Sequence, residues 1–257
     1  MKNAWLIAKR DLGTYFNSPI FYVLTSVFLL LYSFIFFKVL SQFSFESFRA
    51  GQLTLELGMA LSLNKMVVEP SLRNMSFVLL LLVPVITMRS FSEEKKNKSI
   101  FLLFSSPLHL RDILFGKFLA CMTVVTLMIL LTTYSMGFLV WYGNPEIGPI
   151  ITGYAGLLLL ATCFVSVGVF TSSLTDNQIV AAVACFGISL FMWLIGWGAG
   201  AAGEAWYGDV LQFLSLTDHL DRFLSGVLDT ADVLYYLSFV STGLFLTYQV
   251  LESNRWR

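Results

Sequence analysis

Charged residues are scarce in this chain. Lys and Arg number 16, Asp and Glu another 16, and together they make 12% of 257 residues, whereas 57% are apolar. Soluble domains carry about 25% charged residues, so this composition, with a mean hydropathy of +0.76, excludes an ordinary soluble domain. Cysteine is sparse too. Cys121, Cys163 and Cys185 all fall in apolar runs, where they read as small buried hydrophobes and not as a disulfide framework or a metal site. The two histidines, His109 and His219, lie in different inter-span segments and are expected to be polar surface residues on opposite sides of a membrane, so no ligand pair forms. A phosphate-binding G-x-x-x-x-G-K-[ST] loop is missing: the sole Gly-Lys pair, Gly116-Lys117, lacks the upstream glycine and is followed by Phe118, which removes that route to ATP hydrolysis. No catalytic constellation and no nucleic-acid-binding character are found.

Six stretches are free of Asp, Glu, Lys and Arg: 12–37, 74–88, 118–145, 147–175, 177–203 and 233–251. A bilayer core takes about 20 helical residues. Five stretches are long enough, and the second reaches the required length if it extends back past Arg73, whose side chain can snorkel. The expectation is an all-α integral membrane protein forming one domain, with spans near 20–40, 66–89, 112–141, 149–174, 177–199 and 233–251. The uncharged spans weaken an ion-coupled carrier, which uses an intramembrane ionisable group.

With an even number of spans both termini share a side. Placing them in the cytoplasm puts eleven of the sixteen basic residues there, as the positive-inside bias demands. The one large loop on that side carries Arg89, Glu93, Glu94, Lys95, Lys96, Lys98 and Arg111. It reads as a docking surface for a soluble partner, although the same charges also suit a solvated loop. Residues 2–17 are expected to form an interfacial helix. Trp5, Ala8, Leu12, Tyr15 and Phe16 are placed on one stripe, with Lys2, Lys9 and Arg10 elsewhere. On the outer side, 41–73 is expected as a mixed-charge segment, and 200–232 as short helices pressed on the membrane surface. In the fifth span, Gly196 and Gly200 stand four apart. Such small residues admit close helix packing, either at a subunit interface or within the chain.

Four patches in order, KRDLGTYFNSPIFYV, VPVITMRSFSEEKKNKSIFLLFSSPLHLRDILFGKF, SSLTDNQIVAA and HLDRFLSGVLDTADVLYYLSF with the ending LESNRWR, resemble the permease subunit of a type-2 ABC exporter, in its GldF-like, gliding-motility-associated branch. Lys98-Ser99 stands where that family usually has Gly-Thr. The resemblance implies a six-span permease of the bacterial cytoplasmic (inner) membrane that binds no cofactor itself. ATP and Mg would sit in a cytoplasmic ATPase dimer. A second permease subunit, identical or bearing an external domain, would complete the complex. A short helix near Ser99, Phe101 and Phe104 would then carry the ATPase movement to spans two and three. A non-transporting membrane anchor for an external partner domain is the alternative.

Overall fold

The computed structural model describes residues 2–53, 62–99, 108–202 and 206–255. Within them there are no strands. The helices are α1 (Lys2–Asn17), α2 (Pro19–Leu53), a π-helical turn at Asn64–Val68, α3 (Glu69–Thr87), α4 (Arg89–Lys96), α5 (Leu110–Leu131), α6 (Thr133–Gly143), α7 (Ile147–Leu174), α8 (Gln178–Ala202), α9 (Trp206–Leu214), α10 (Leu216–Leu224) and α11 (Thr230–Arg255). Six helical stretches are long and apolar enough to cross a membrane: Pro19–Arg49, Asn64–Lys96, Leu110–Gly143, Ile147–Leu174, Gln178–Gly196 and Thr230–Asn254. The chain is an all-helical, multi-pass membrane protein.

α7 is the hub, packing against α3, α4, α5, α8, α10 and α11. Its apolar length and its small residues explain why. A Cβ on Gly156 would lie 2.6 Å from Phe223 Cβ, and one on Gly153 would lie 2.6 Å from Leu72 Cδ1, while Gly168 faces the Thr87 side chain. In lipid, where apolar burial between helices drives little, association depends on such close backbone approach. The fully buried Leu157, Leu160, Ala161, Val165 and Val169 complete its inward faces.

Two boundaries differ from the sequence expectation. The first span does not stop near residue 40: α2 runs on to Leu53, because Ser41–Leu53 holds no proline and just one glycine to interrupt it. Part of the expected outer segment 41–73 is therefore helix, and residues 54–61 lie outside the described residues. The third span is not one rod. It breaks at Thr132, whose Oγ1 donates back to Ile129 O at 2.6 Å and meets Tyr154 OH at 3.0 Å. Such side-chain back-bonding bends helices. Next to it, Tyr32 OH and Ser135 Oγ pair at 2.6 Å, both buried. The second span begins at Asn64, and α3 passes through Met88, whose backbone is itself helical, into α4.

Both described ends of the chain reach the same end of the bundle. Ala4 packs at Gly116 near the start of α5, and Arg111 sits 5.9 Å over the ring of Tyr248 near the end of α11.

Candidate functional site

α1 lies across the first turns of α5, and Gly116 is the reason it can. A Cβ there would stand 2.8 Å from both Ala4 O and Ile7 Cβ, so only glycine admits this backbone approach. The face of α1 turned inward carries Ala4, Ile7 and Ala8, all under 10% exposed, followed by the half-buried Asp11 and Tyr15. Trp5 is 62% exposed and Phe16 36%. The single stripe expected from the sequence therefore divides: Ala8 and Tyr15 face the bundle, Phe16 packs edge-on against Phe21 at 5.0 Å, and Trp5 points away, with Lys9 and Arg10 also exposed. The Tyr15 hydroxyl donates to Ile86 O at 2.9 Å, satisfying a carbonyl near the open end of α3. Burial pushes the Tyr15 phenol well above its ordinary value.

One residue beyond Gly116, Lys117 points into the protein with 3% of its side chain exposed. Its Nζ lies 2.8 Å from Glu94 Oε1 and 3.3 Å from Asp11 Oδ2, and donates to Ser90 O at 2.6 Å. Arg10 closes the circuit, with Nη2 2.8 Å from Asp11 Oδ1 and 3.0 Å from Glu94 Oε1. Two cations and two anions from α1, α4 and α5 thus neutralise one another in a partly dry setting, where paired charges hold and single ones do not. In the sequence, Lys117 counts only as one of the eleven basic residues of the cytoplasmic side. Its burial could have been suspected from Gly116, the small neighbour that brings an acid on α1 within reach.

α4 is bolted to the hub as well. No local side chain caps its start. Instead, Ser172 Oγ of α7 accepts from the Phe91 and Ser92 amides at 2.9 and 3.1 Å and donates to Met88 O at 3.0 Å. Lys95 Nζ donates to Ser173 O at 2.6 Å near the C-terminus of α7, where helix carbonyls favour a cation. Of the loop residues read from the sequence, Glu94 and Lys95 are thus held inward, Arg89 and Glu93 are half-buried, and Lys96 and Lys98 are exposed. Ser99 follows in a turn, and Phe101 and Phe104 lie outside the described residues. Lys98 has φ 57°, the left-handed conformation that ends helices and favours glycine.

At the opposite end, α10 seats on α7 and α8. A Cβ on Gly196 would fall 2.6 Å from Ser215 Oγ of the same chain, and Gly200 continues α8. His219 is not a surface residue. It is 5% exposed, with Nδ1 2.6 Å from Asp232 Oδ1 and Nε2 3.0 Å from Phe213 O, and its ring stacks on Tyr235 at 4.1 Å. A carbonyl can only accept, so Nε2 carries a proton. Asp232 is fully buried and also receives Arg222 Nη1 at 3.3 Å. This pairing of α10 with α11 was missed because His219 and Asp232 stand thirteen positions apart on different helices, joined by the 225–229 turn. Arg73 of α3 reaches Asp221 of α10 at 2.8 Å.

The family model described as ABC-2 family transporter protein matches residues 5–251, nearly the whole chain. The chain belongs to that family, whose members are membrane-spanning permease subunits of ABC transporters. No curated protein matches the sequence.

Proposed function

From membership of the ABC-2 family, we propose that the chain is the permease subunit of an ATP-driven export or mechanotransmission complex of the bacterial inner membrane. The α1–α4 end is the cytoplasmic end, and α4 with the loop after it receives a separate ATPase that binds ATP and Mg. The observation that carries this reading is the Arg10–Asp11–Glu94–Lys117 network, built around the buried Lys117. Together with Ser172 and Lys95 it ties α4 to α1, α5 and α7. A push on α4 from a nucleotide-driven ATPase is therefore delivered to three bundle helices at once. Lys96 and Lys98, the exposed cations, serve as rim charges that set register and encounter rate more than affinity. Glu94 acts inside, as a positioning residue.

The gliding-motility-associated branch and the second permease subunit rest on the four sequence patches. An export role and a purely mechanical role share the same coupling end. The test has two parts. Cysteines introduced at Lys96 and Asp218 should label from opposite faces of sealed cells, and Lys96→Glu with Lys98→Glu should lower ATPase co-purification while membrane insertion is retained. Labelling of both from outside, or undiminished co-purification of the charge-reversed protein, refutes the proposal.

A further inference from the structure

A cavity of about 370 Å³ opens between α1, the first turns of α2 and the α3–α4 junction, with α5 along its side. Small-molecule sites run from about 300 to 1,000 Å³, so it has room for a compact headgroup and a short length of chain. Its lining has two parts. Phe21, Leu24, Val85, Ile86, Val124 and Met128 form an apolar wall. Arg10, Asp11, Arg89, Glu93, Glu94 and Lys117 form a polar one, three cations against three anions.

Within the polar wall the pairing is incomplete. Arg10, Asp11, Lys117 and one oxygen of Glu94 satisfy one another. Arg89 Nε and Glu94 Oε2 are buried with no hydrogen-bond partner among the described residues. A charged donor and a charged acceptor left unmatched are costly, and both residues line the same cavity. Their complement is a ligand of zero net charge that brings an anionic acceptor and a cationic N–H donor, attached to hydrocarbon. Ile20 lies on the rim and is 39% exposed, so the cavity meets the surroundings of the bundle where α1 turns into the first membrane-spanning helix.

We propose that this cavity binds the headgroup and upper acyl segment of a zwitterionic aminophospholipid, its phosphate on Arg89 and its ammonium on Glu94 Oε2 and Glu93. The inference rests on the membrane-spanning reading and is independent of any ATPase. Chemistry sets the selectivity. A phosphatidylglycerol brings the phosphate without the ammonium, and a phosphatidylcholine brings a cation with no N–H to donate. Free phosphoethanolamine brings both charges but leaves the apolar wall empty.

The test is native mass spectrometry of the full chain in detergent, titrated separately with dioleoyl phosphatidylethanolamine, phosphatidylcholine and phosphatidylglycerol. Phosphatidylethanolamine should reach half-occupancy at the lowest concentration. Arg89→Gln removes a charge-assisted contact and should raise that concentration about tenfold. Thr14→Trp, at the exposed edge of the cavity, plugs it and should abolish the preference, while Leu130→Trp, exposed and outside the lining, should change nothing. Melting curves verify that each variant is folded, and Leu24→Trp supplies a second plug. Equal retention of the three lipids, displacement by free phosphoethanolamine at equal concentration, or an unaltered preference in folded plugged variants overturns the proposal.

Discussion

Replacing Lys117 with Met keeps an unbranched, flexible side chain one atom shorter and deletes one charge from the four-residue network. The ammonium now holds Glu94 Oε1 at 2.8 Å, Asp11 Oδ2 at 3.3 Å and Ser90 O at 2.6 Å, and lies 5.1 Å from the centre of the Phe91 ring. Without it, two carboxylates of 16% side-chain exposure share only Arg10, itself 53% exposed. Removing one partner from a buried ion pair costs about 3–5 kcal/mol. Because Arg10 remains and Asp11 and Glu94 keep some water, the lower end applies, about 3 kcal/mol. For a chain of this size each kcal/mol moves the midpoint of thermal unfolding by about 2–4 °C, so the loss should be about 6–12 °C. The assay is thermal unfolding of the detergent-solubilised protein followed by tryptophan fluorescence. Glu94→Gln alone should also destabilise, and the double variant Lys117→Met with Glu94→Gln should fall short of the sum by about 1–2 kcal/mol, since the two act through one contact. A Lys117→Met midpoint within 2 °C (about 1 kcal/mol or less) of the parent, or strict additivity in the double variant, refutes the claim that this network holds α4 to α5.

Gly116→Ala should lift α1 from α5 at a cost of about 1–3 kcal/mol, because its Cβ meets the Ala4 carbonyl, a backbone atom that cannot rotate away; faster tryptic cleavage after Lys9 and Arg10 is the readout, and an unchanged rate counts against it. Lys98→Gly should stabilise the protein by about 1 kcal/mol, relieving the left-handed backbone at φ 57°, and a lower melting midpoint contradicts this. Desolvation, only partly offset by Arg73, raises Asp221 from 3.8 to about 6. Because the folded value lies above the unfolded one, the fold binds this proton more tightly. The penalty for ionised Asp221 is full above pH 6 or so and relaxes as pH falls towards 3.8. Carbon-13 NMR of labelled Asp should find its midpoint near 6, and Asp221→Asn should remove that part of the pH dependence of stability; a midpoint near 4 refutes it.

The spans were legible because hydropathy is a property of composition over about 20 residues and needs no knowledge of neighbours. The same holds for α1, whose mixed apolar and basic surface showed in 16 residues, and for short helices between Gly200 and Asp232, where apolar anchors interrupt the acids. What a span faces is a different matter. Whether Lys117 is a solvated charge or a buried cation depends on Asp11, 106 residues earlier, and on Glu94. Whether His219 is a surface residue depends on Asp232 being delivered to it by α11. Gly116, Gly153, Gly156 and Gly168 are unremarkable in the one-dimensional pattern and become decisive only where another helix crosses. The corner at Thr132 is set by a hydroxyl turned back on its own helix next to Tyr154. Chain chemistry alone thus decided that the protein is helical, membrane-spanning and stripped of a phosphate loop. Tertiary packing decided which charges are buried together, since pairing energy in a low-dielectric interior belongs to two or more side chains and to the distance between them.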